Sequence, residues 1–226
     1  MNNKLFICVA TQGKRENTLL WKTKDTDTEI FFKENNTDSL QSVYNKAIDF
    51  AIKENVDHII LCHDDIILEN FDYEKLKAHF ETYDVLGVAG ASQITVKQPA
   101  LWHLMGGGVN SGSLHGAVAH LNGEQKSMTA FGPYPHQALI MDGVFLAISR
   151  KVFKKIRFDE TCPAGFHFYD LAYTLDASLA GFKCGVIDAY VTHASPGLRE
   201  FTEEWTNGQK WFLSKYKKYV GKTVQI

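Results

Sequence analysis

The sequence lacks the cysteine pattern of a disulfide-bonded or zinc-binding protein. Its four cysteines, Cys8, Cys62, Cys162 and Cys184, are far apart and include no Cys-x-x-Cys pair. Disulfide frameworks and structural zinc sites use close, repeated cysteine spacings. We therefore expect reduced thiols and a cytoplasmic protein.

The sequence also lacks a strong net charge and any long apolar run. Its formal net charge is -2 over 226 residues, which gives no basic field of the kind that binds nucleic acid. No apolar stretch approaches the ~20 residues of a transmembrane helix. The apolar run at residues 5–10 is too short for a signal peptide. The composition is that of a globular protein without a nucleic-acid partner.

Apolar segments with strand and helix spacing alternate in the first part of the sequence. Strands are expected at residues 5–10, 29–33, 57–62 and 84–91. A helix beginning at Asp38, with Gln41 completing a capping box, and a helix at residues 73–80 lie between the later strands. The pattern predicts an α/β fold with a mostly parallel central sheet flanked by helices.

The second part of the sequence is less regular. Residues 92–136 are rich in glycine and are expected to form long loops with short antiparallel strands near residues 116–121. The later elements are expected at residues 137–150 (two strands), 169–180 (a helix stopped by Gly181, with Leu171, Ala172, Leu175 and Leu179 inward), 182–187 (a strand), 188–193 (a strand) and 205–219 (an amphipathic helix). Because no repeat or linker is visible, we expect one domain over residues 1–226.

The apolar strand at residues 57–62 is followed by a histidine and two adjacent carboxylates, His63, Asp64 and Asp65. In open α/β sheets, ligands bind beyond the carboxyl ends of the strands. Neighbouring carboxylates repel each other unless a cation neutralises them. Mg²⁺ prefers carboxylates, and an imidazole ligand shifts the preference towards Mn²⁺. The segment predicts a divalent-metal site, and the alternative is a solvated turn whose acids cap the next element.

Two later polar residues are further site candidates. His193 ends an apolar strand, and on the same sheet edge it would complete a coordination sphere with Asp65. The alternative is an ordinary packed or surface histidine. Asp170 opens a helix after several aromatic residues and is a candidate general base. The alternative is an acid favoured there by the helix dipole, which we expect to keep it ionised.

The order of these motifs resembles the family-two glycosyltransferases with the GT-A fold, and most closely their StrF-like (streptomycin biosynthesis protein) branch. The segment "CHDDI" stands where the family carries a DxD metal motif at a strand end, with His63 and Asp65 in its two outer positions. The family's helix-opening acid matches Asp170, preceded here by Tyr169 where the family often has an acid. Its late metal-binding histidine matches His193.

The resemblance implies roles for these residues and for several others. Asp170 is the catalytic base, Asp65 and His193 hold Mn²⁺ or Mg²⁺, and His63 contacts either that metal or the nucleotide. The donor side is represented by Asn45 and Asp64. The acceptor side is represented by Asp142 and Gly143. Apart from the resemblance, the ring of Trp102, beside the glycine run at residues 106–108, is a candidate for stacking on a sugar on the acceptor side, and the alternative is packing in the core.

The resemblance implies a metal-dependent, inverting transfer of a sugar from a nucleotide-sugar donor to a hydroxyl of a sugar, glycan or lipid-linked acceptor. Two alternatives are a metal-dependent hydrolase of a nucleotide or phosphoester, and a catalytically silent sugar-binding domain in which His63 has replaced an acid. Lysines 210, 215, 217, 218 and 222 make the C-terminal helix a candidate contact with the inner face of a membrane.

Overall fold

The computed structural model describes residues 5–24, 29–188, 191–195, 197 and 200–226. The strands in this part of the chain are β1 (Leu5–Ala10), β2 (Phe31–Lys33), β3 (His58–Cys62), β4 (Ile66–Leu68), β5 (Val85–Gly87), β6 (Ala89–Ala91), β7 (Gln93–Thr95), β8 (Leu114–Asn122), β9 (Gln125–Gly132), β10 (His136–Ala138), β11 (Ile140–Met141), β12 (Phe145–Ser149), β13 (Cys184–Val186), β14 (Val191–His193) and β15 (Thr223–Gln225). The helices are α1 (Leu19–Thr23), α2 (Leu40–Lys53), α3 (Tyr73–His79), α4 (Trp102–Met105), α5 (Arg150–Phe153), α6 (Tyr169–Leu179) and α7 (Glu203–Lys215), with 3₁₀ turns at Arg15–Asn17 and Lys217–Tyr219.

The central sheet has seven strands in the order β10-β13-β5-β12-β3-β1-β2. β1 pairs in parallel with β2 and β3, and β13 pairs in parallel with β5. β12 is antiparallel to both β3 and β5, and β10 is antiparallel to β13. All strands except β10 and β12 therefore run in one direction, which confirms the predicted α/β fold with a mostly parallel central sheet.

A second sheet has the strand order β11-β6-β8-β14-β4, and β9 pairs with β8. One strand was expected over residues 84–91, but β5 and β6 belong to different sheets, so that prediction is wrong. The chain changes sheets at Val88, whose carbonyl accepts a hydrogen bond from the Ala117 amide at 3.1 Å. Gly116 allows this approach, because a Cβ there would overlap the Val88 carbonyl. The sequence of residues 84–91 is a continuous apolar run, and nothing in it indicates that the chain passes from one sheet to the other.

Residues 114–132 form a long antiparallel hairpin, β8–β9, where mostly loops were expected. Gly123 makes the turn with a φ of +62°, a conformation that favours glycine. The first six residues of β9 are all exposed, so this strand has no buried apolar face. The antiparallel strand expected near residues 116–121 is confirmed by β8, whereas β9 lies where loops were expected, and that part of the prediction is wrong.

The N-cap of α2 lies one residue later than expected, at residue 39 instead of 38. Ser39 is its N-cap and accepts a hydrogen bond from the Ser42 amide at 3.3 Å. Gln41 does not form a capping box with Asp38. It is buried, and its Nε2 donates to the Ala164 carbonyl at 2.9 Å, which ties α2 to the segment before α6.

The α6 helix largely matches the prediction. Leu171, Ala172 and Leu175 are buried, and the helix ends before Gly181, which has a φ of +88°. Leu179 was expected to point inward, but it is 41% exposed. It is the last residue of α6, and this detail of the prediction is wrong.

The C-terminal helix is less available to a membrane than its lysine count suggests. The Lys215 ammonium lies 2.7 Å from Asp159 and 2.9 Å from Asp176, so this lysine faces inward. The described part of the chain contains no helix that is both long and apolar enough to cross a membrane.

Candidate active site

A cleft of about 480 Å³ lies where the two sheets meet the start of α6. Its walls include His63, Trp102, Asp142, Asp170 and His193. These five predicted residues come from distant parts of the sequence. The fold therefore brings the proposed metal-side, acceptor-side and base residues to one surface.

His63, Asp65 and His193 converge, but not along one sheet edge as expected. His63 follows β3 of the central sheet, whereas His193 ends β14 of the second sheet. His193 lies opposite Ile66 in the antiparallel β4–β14 pair, and the Asp65 carbonyl accepts a hydrogen bond from the Ala194 amide at 2.9 Å. The expectation of a shared edge is wrong, because pairing between β4 and β14 is what places His193 beside Asp65.

The three side chains could share one metal ion. Asp65 Oδ1 lies 3.2 Å from His193 Nε2 and 3.8 Å from His63 Nδ1. One ligand atom from each of the three residues falls within 4.8 Å of the others. Asp65 Oδ1 and His193 Nε2 are buried and make no hydrogen bond of good geometry with any described residue. Two imidazoles and a carboxylate with unsatisfied atoms facing one point fit a divalent transition ion such as Mn²⁺.

The charge states within this cluster also suit metal binding. Burial raises the pKa of Asp65, but the neighbouring His193 and His63 together outweigh it, and the net pKa is lowered. Burial lowers the pKa of His63, although the nearby acids oppose this shift. The direction of each shift favours the protonation state that metal binding requires, an ionised carboxylate at Asp65 and an unprotonated ligand nitrogen at His63.

Tyr169 links this cluster to the rest of the cleft. Its hydroxyl lies 3.0 Å from His63 Nε2 and donates to the Gly143 carbonyl at 3.1 Å. The side chain is only 4% exposed, and burial raises the pKa of Tyr169 well above its usual value. The hydroxyl therefore stays protonated. From the sequence, Tyr169 was expected only to limit water around Asp170 and to offer a stacking face for a sugar. Its contacts with His63 and Gly143 were not predicted, because they depend on residues more than twenty positions away.

Asp170 lies in the first turn of α6, next to Tyr169, and lines the cleft. Its Oδ2 accepts a hydrogen bond from the Gly143 amide at 2.8 Å. Burial and the charge of Asp142 raise the pKa of Asp170 to about 7, against the opposing effect of backbone hydrogen bonds. Burial and the charge of Asp142 therefore oppose the ionisation that the helix dipole was expected to maintain.

Asp142 is held in place by two donors. Its Oδ2 accepts from Trp102 Nε1 at 3.0 Å, and its Oδ1 accepts from the Val144 amide at 2.9 Å. Trp102 is mostly buried, with 8% of its surface exposed, but it still lines the cleft. Its indole therefore positions an acid as well as forming part of the wall.

Gly143 has no room for a side chain. A Cβ there would overlap the Tyr169 hydroxyl and would lie 2.7 Å from the Asp170 Cβ. Tyr169 and Asp170 both pack directly on this residue. A glycine at position 143 is what permits the close approach of α6 to the strand pair.

The two predicted donor-side residues do not line the cleft. The Asn45 side chain exchanges two hydrogen bonds of 2.9 Å with the backbone of Phe158, and its Nδ2 also donates to Glu160 at 2.7 Å. Asp64 accepts a backbone hydrogen bond from Leu20 at 3.1 Å. Asn45 therefore stabilises the segment after α5, and donor roles for Asn45 and Asp64 stay predictions.

A strained residue precedes the proposed base. Phe168 has a φ of +66°, which is rare for a bulky side chain and typically costs about 1–3 kcal/mol. Its buried ring packs against Trp205 and Phe212 of α7 at centroid distances of 5.3 and 5.8 Å. Packing of this ring offsets the strain and fixes the direction in which α6 leaves the loop. Sequence patterns contain no signal for such a conformation.

Comparison with known proteins places the chain in a family. No curated protein matches it in sequence. Similar solved structures include A197 from STIV (14% identity, 83% of each chain, TM-score 0.48). Others are HddC from Yersinia pseudotuberculosis (14% identity, 92% of this chain and 79% of that chain, TM-score 0.38) and the inositol-1-phosphate CTP transferase from T. maritima (16% identity, 92% and 77%, TM-score 0.34). Residues 11–224 match the sequence profile of the Glycosyltransferase like family, and the chain therefore belongs to that family.

Proposed function

We propose that this protein is a metal-dependent, inverting glycosyltransferase of the StrF-like branch. It would move a sugar from a nucleotide-sugar donor to a hydroxyl of a sugar, glycan or lipid-linked acceptor. Family membership supports the transferase class. The observation that carries the finer proposal is that Asp170 faces the same cleft as His63 and His193.

The proposed metal ligands are His63 Nδ1, Asp65 Oδ1 and His193 Nε2. A divalent cation bound there would neutralise the charge that develops on the nucleoside diphosphate leaving group. Two imidazoles favour Mn²⁺ over Mg²⁺, which prefers oxygen ligands. Asp65 supplies the negative charge of the site, and the histidines supply neutral ligands that do not repel the diphosphate.

Asp170 would act as the general base. A pKa of about 7 is close to the operating pH, where a base combines a useful ionised fraction with a strong tendency to accept a proton. The Gly143 amide donates to Oδ2 of Asp170, and Oδ1 would accept the proton of the acceptor hydroxyl. Asp142 is engaged by Trp102 and Val144, so its role is to raise the basicity of Asp170 rather than to accept a proton itself.

Two other functions predict different behaviour. A two-metal phosphoesterase needs a second group of ligands close to the first. In the described residues, His63, Asp65 and His193 are the one group of three or more candidate ligands that could share an ion. A silent sugar-binding domain has no need of the buried, unsatisfied ligand atoms on Asp65 and His193.

Thermal unfolding with nucleoside diphosphates tests the proposal. The melting temperature should rise when a nucleoside diphosphate and Mn²⁺ are added together, and much less with either alone. Asp65→Ala should abolish this joint effect. A nucleoside diphosphate that stabilises the protein equally with and without Mn²⁺ would contradict the proposal, as would a complete panel of bases without any joint effect.

A further inference from the structure

The structure assigns Tyr169 as a positioning residue that sets the tautomer of His63. Its hydroxyl keeps the imidazole proton on Nε2 and so leaves the Nδ1 lone pair directed at Asp65 and His193. The inference rests on the proposed function only in that it takes these three residues to be metal ligands.

Counting protons at the Tyr169 hydroxyl leads to this assignment. A phenol carries one hydrogen, and a backbone carbonyl can only accept. The hydroxyl lies 3.1 Å from the Gly143 carbonyl, and no second donor among the described residues bonds to that oxygen. If the phenol donated to His63 instead, the buried Gly143 carbonyl would have no hydrogen-bond donor, which is costly. The phenolic hydrogen therefore goes to Gly143. The remaining contact, 3.0 Å from the hydroxyl oxygen to His63 Nε2, then requires a hydrogen on the imidazole nitrogen.

The other nitrogen of the same ring faces the metal-ligand cluster. His63 Nδ1 lies 3.8 Å from Asp65 Oδ1. A neutral imidazole with a hydrogen on Nε2 has its lone pair on Nδ1, ready for a metal. In the opposite tautomer, an Nδ1 hydrogen would face the Asp65 carboxylate, and this contact would compete with metal binding. The Tyr169 hydroxyl thus prevents an unproductive His63–Asp65 hydrogen bond.

The phenol is held firmly enough to impose this choice. The Tyr169 ring packs edge-on against Tyr44 at a centroid distance of 5.6 Å and lies 6.2 Å from Phe158. The hydroxyl end of the ring packs against the Cα of Gly143, where a side chain would not fit. Outer partners of this kind orient metal-binding histidines, and their removal typically weakens metal binding by about 10- to 100-fold.

Imidazole ¹⁵N spectra of the metal-free protein test the tautomer directly. Wild type should show His63 with its hydrogen on Nε2, and Tyr169→Phe should lose this preference while keeping the buried ring. Tyr173→Phe is the matched control, because Tyr173 lies one turn further along α6 and its buried hydroxyl has no described partner. An Nδ1–H tautomer in wild type would overturn the inference, as would a Tyr169→Phe spectrum identical to wild type. Should Tyr169→Phe fail to fold, the wild-type spectrum still decides.

Titration with Mn²⁺ alone, followed by the EPR signal of the free ion, tests the consequence. Tyr169→Phe should bind Mn²⁺ roughly 10- to 100-fold more weakly than wild type, and Tyr173→Phe should bind as wild type does. Equal affinity of Tyr169→Phe and wild type would overturn the inference. Absence of Mn²⁺ binding by wild type would instead refute the proposed metal site, while the metal-free spectra decide the role of Tyr169 separately.

Discussion

The amide nitrogen of Gly143 lies 2.8 Å from Oδ2 of Asp170. The carbonyl of the same glycine accepts the hydroxyl of Tyr169, which in turn contacts His63. One residue without a side chain therefore joins the proposed base to the proposed metal site. A displacement of Gly143 should affect both halves of the cleft at once.

Replacing Gly143 by alanine tests this link. The new Cβ would overlap the Tyr169 hydroxyl, so α6 must move, and overpacking of this kind costs about 1–3 kcal/mol of unfolding free energy. Urea unfolding should show this loss, and Mn²⁺ affinity should fall with it. Gly13→Ala is the control, since a Cβ at Gly13 meets nothing within 4 Å. If Gly143→Ala has the same stability and Mn²⁺ affinity as wild type, Tyr169 and Asp170 do not pack as tightly on Gly143 as described.

Asp170→Asn should separate binding from transfer. The amide oxygen can still accept from Gly143, but it cannot take a proton. Transfer should fall by roughly 10²-fold or more, while joint binding of nucleoside diphosphate and Mn²⁺ should persist. Steady-state rates together with the thermal shift measure the two effects. A parental rate would show that Asp170 only begins the helix.

The same variant should change how stability depends on pH. The folded-state pKa of Asp170 is raised from 3.8 to about 7, so the unfolded chain loses this proton at lower pH. The contribution to stability is fully present below pH 3.8 and is lost as the pH rises through about 7. Asp170→Asn should therefore be more stable than wild type at pH 8 and should lose this advantage near pH 4. Parallel urea titrations at the two pH values measure it, and an equal difference at both would contradict the raised pKa.

Asp142 should set the pH dependence of transfer. The wild-type rate should rise through pH about 7 as Asp170 ionises. Asp142→Asn removes the neighbouring negative charge, and the midpoint should move to lower pH. The pH profile of kcat/KM is the measurement. An unchanged midpoint would mean that Asp142 does not influence the base.

The central sheet was predictable because its signals are local. The apolar run of β3 and the helical spacing of α2 each lie within one element, and each has the burial that its pattern indicates. The change of sheet at Val88 and the β8–β9 hairpin were not predictable. Both depend on which distant strand provides the hydrogen bonds, and the exposed side chains of β9 carry no apolar pattern.

In the candidate site, too, the features with local sequence signals were predictable and those that depend on distant residues were not. Asp65, His193 and Asp170 could be proposed as site residues from residue type and position at the ends of elements. The positioning role now proposed for Tyr169 could not, since it depends on Gly143 lying against it after folding. The raised pKa of Asp170 was also missed, because burial and the charge of Asp142 are properties of the folded cleft.

The release of nucleoside diphosphate from a panel of nucleotide sugars, in the presence of acceptor, tests the account most directly. Wild type should release the diphosphate from at least one donor when Mn²⁺ is present and stop when the metal is chelated. Asp65→Ala should be inactive through loss of binding, and Asp170→Asn should be slower by roughly 10²-fold or more with binding retained. Glu81→Ala, at an exposed acid, should match wild type. Release that continues undiminished in chelator and in both site variants would contradict a metal-dependent transferase that uses Asp170 as its base.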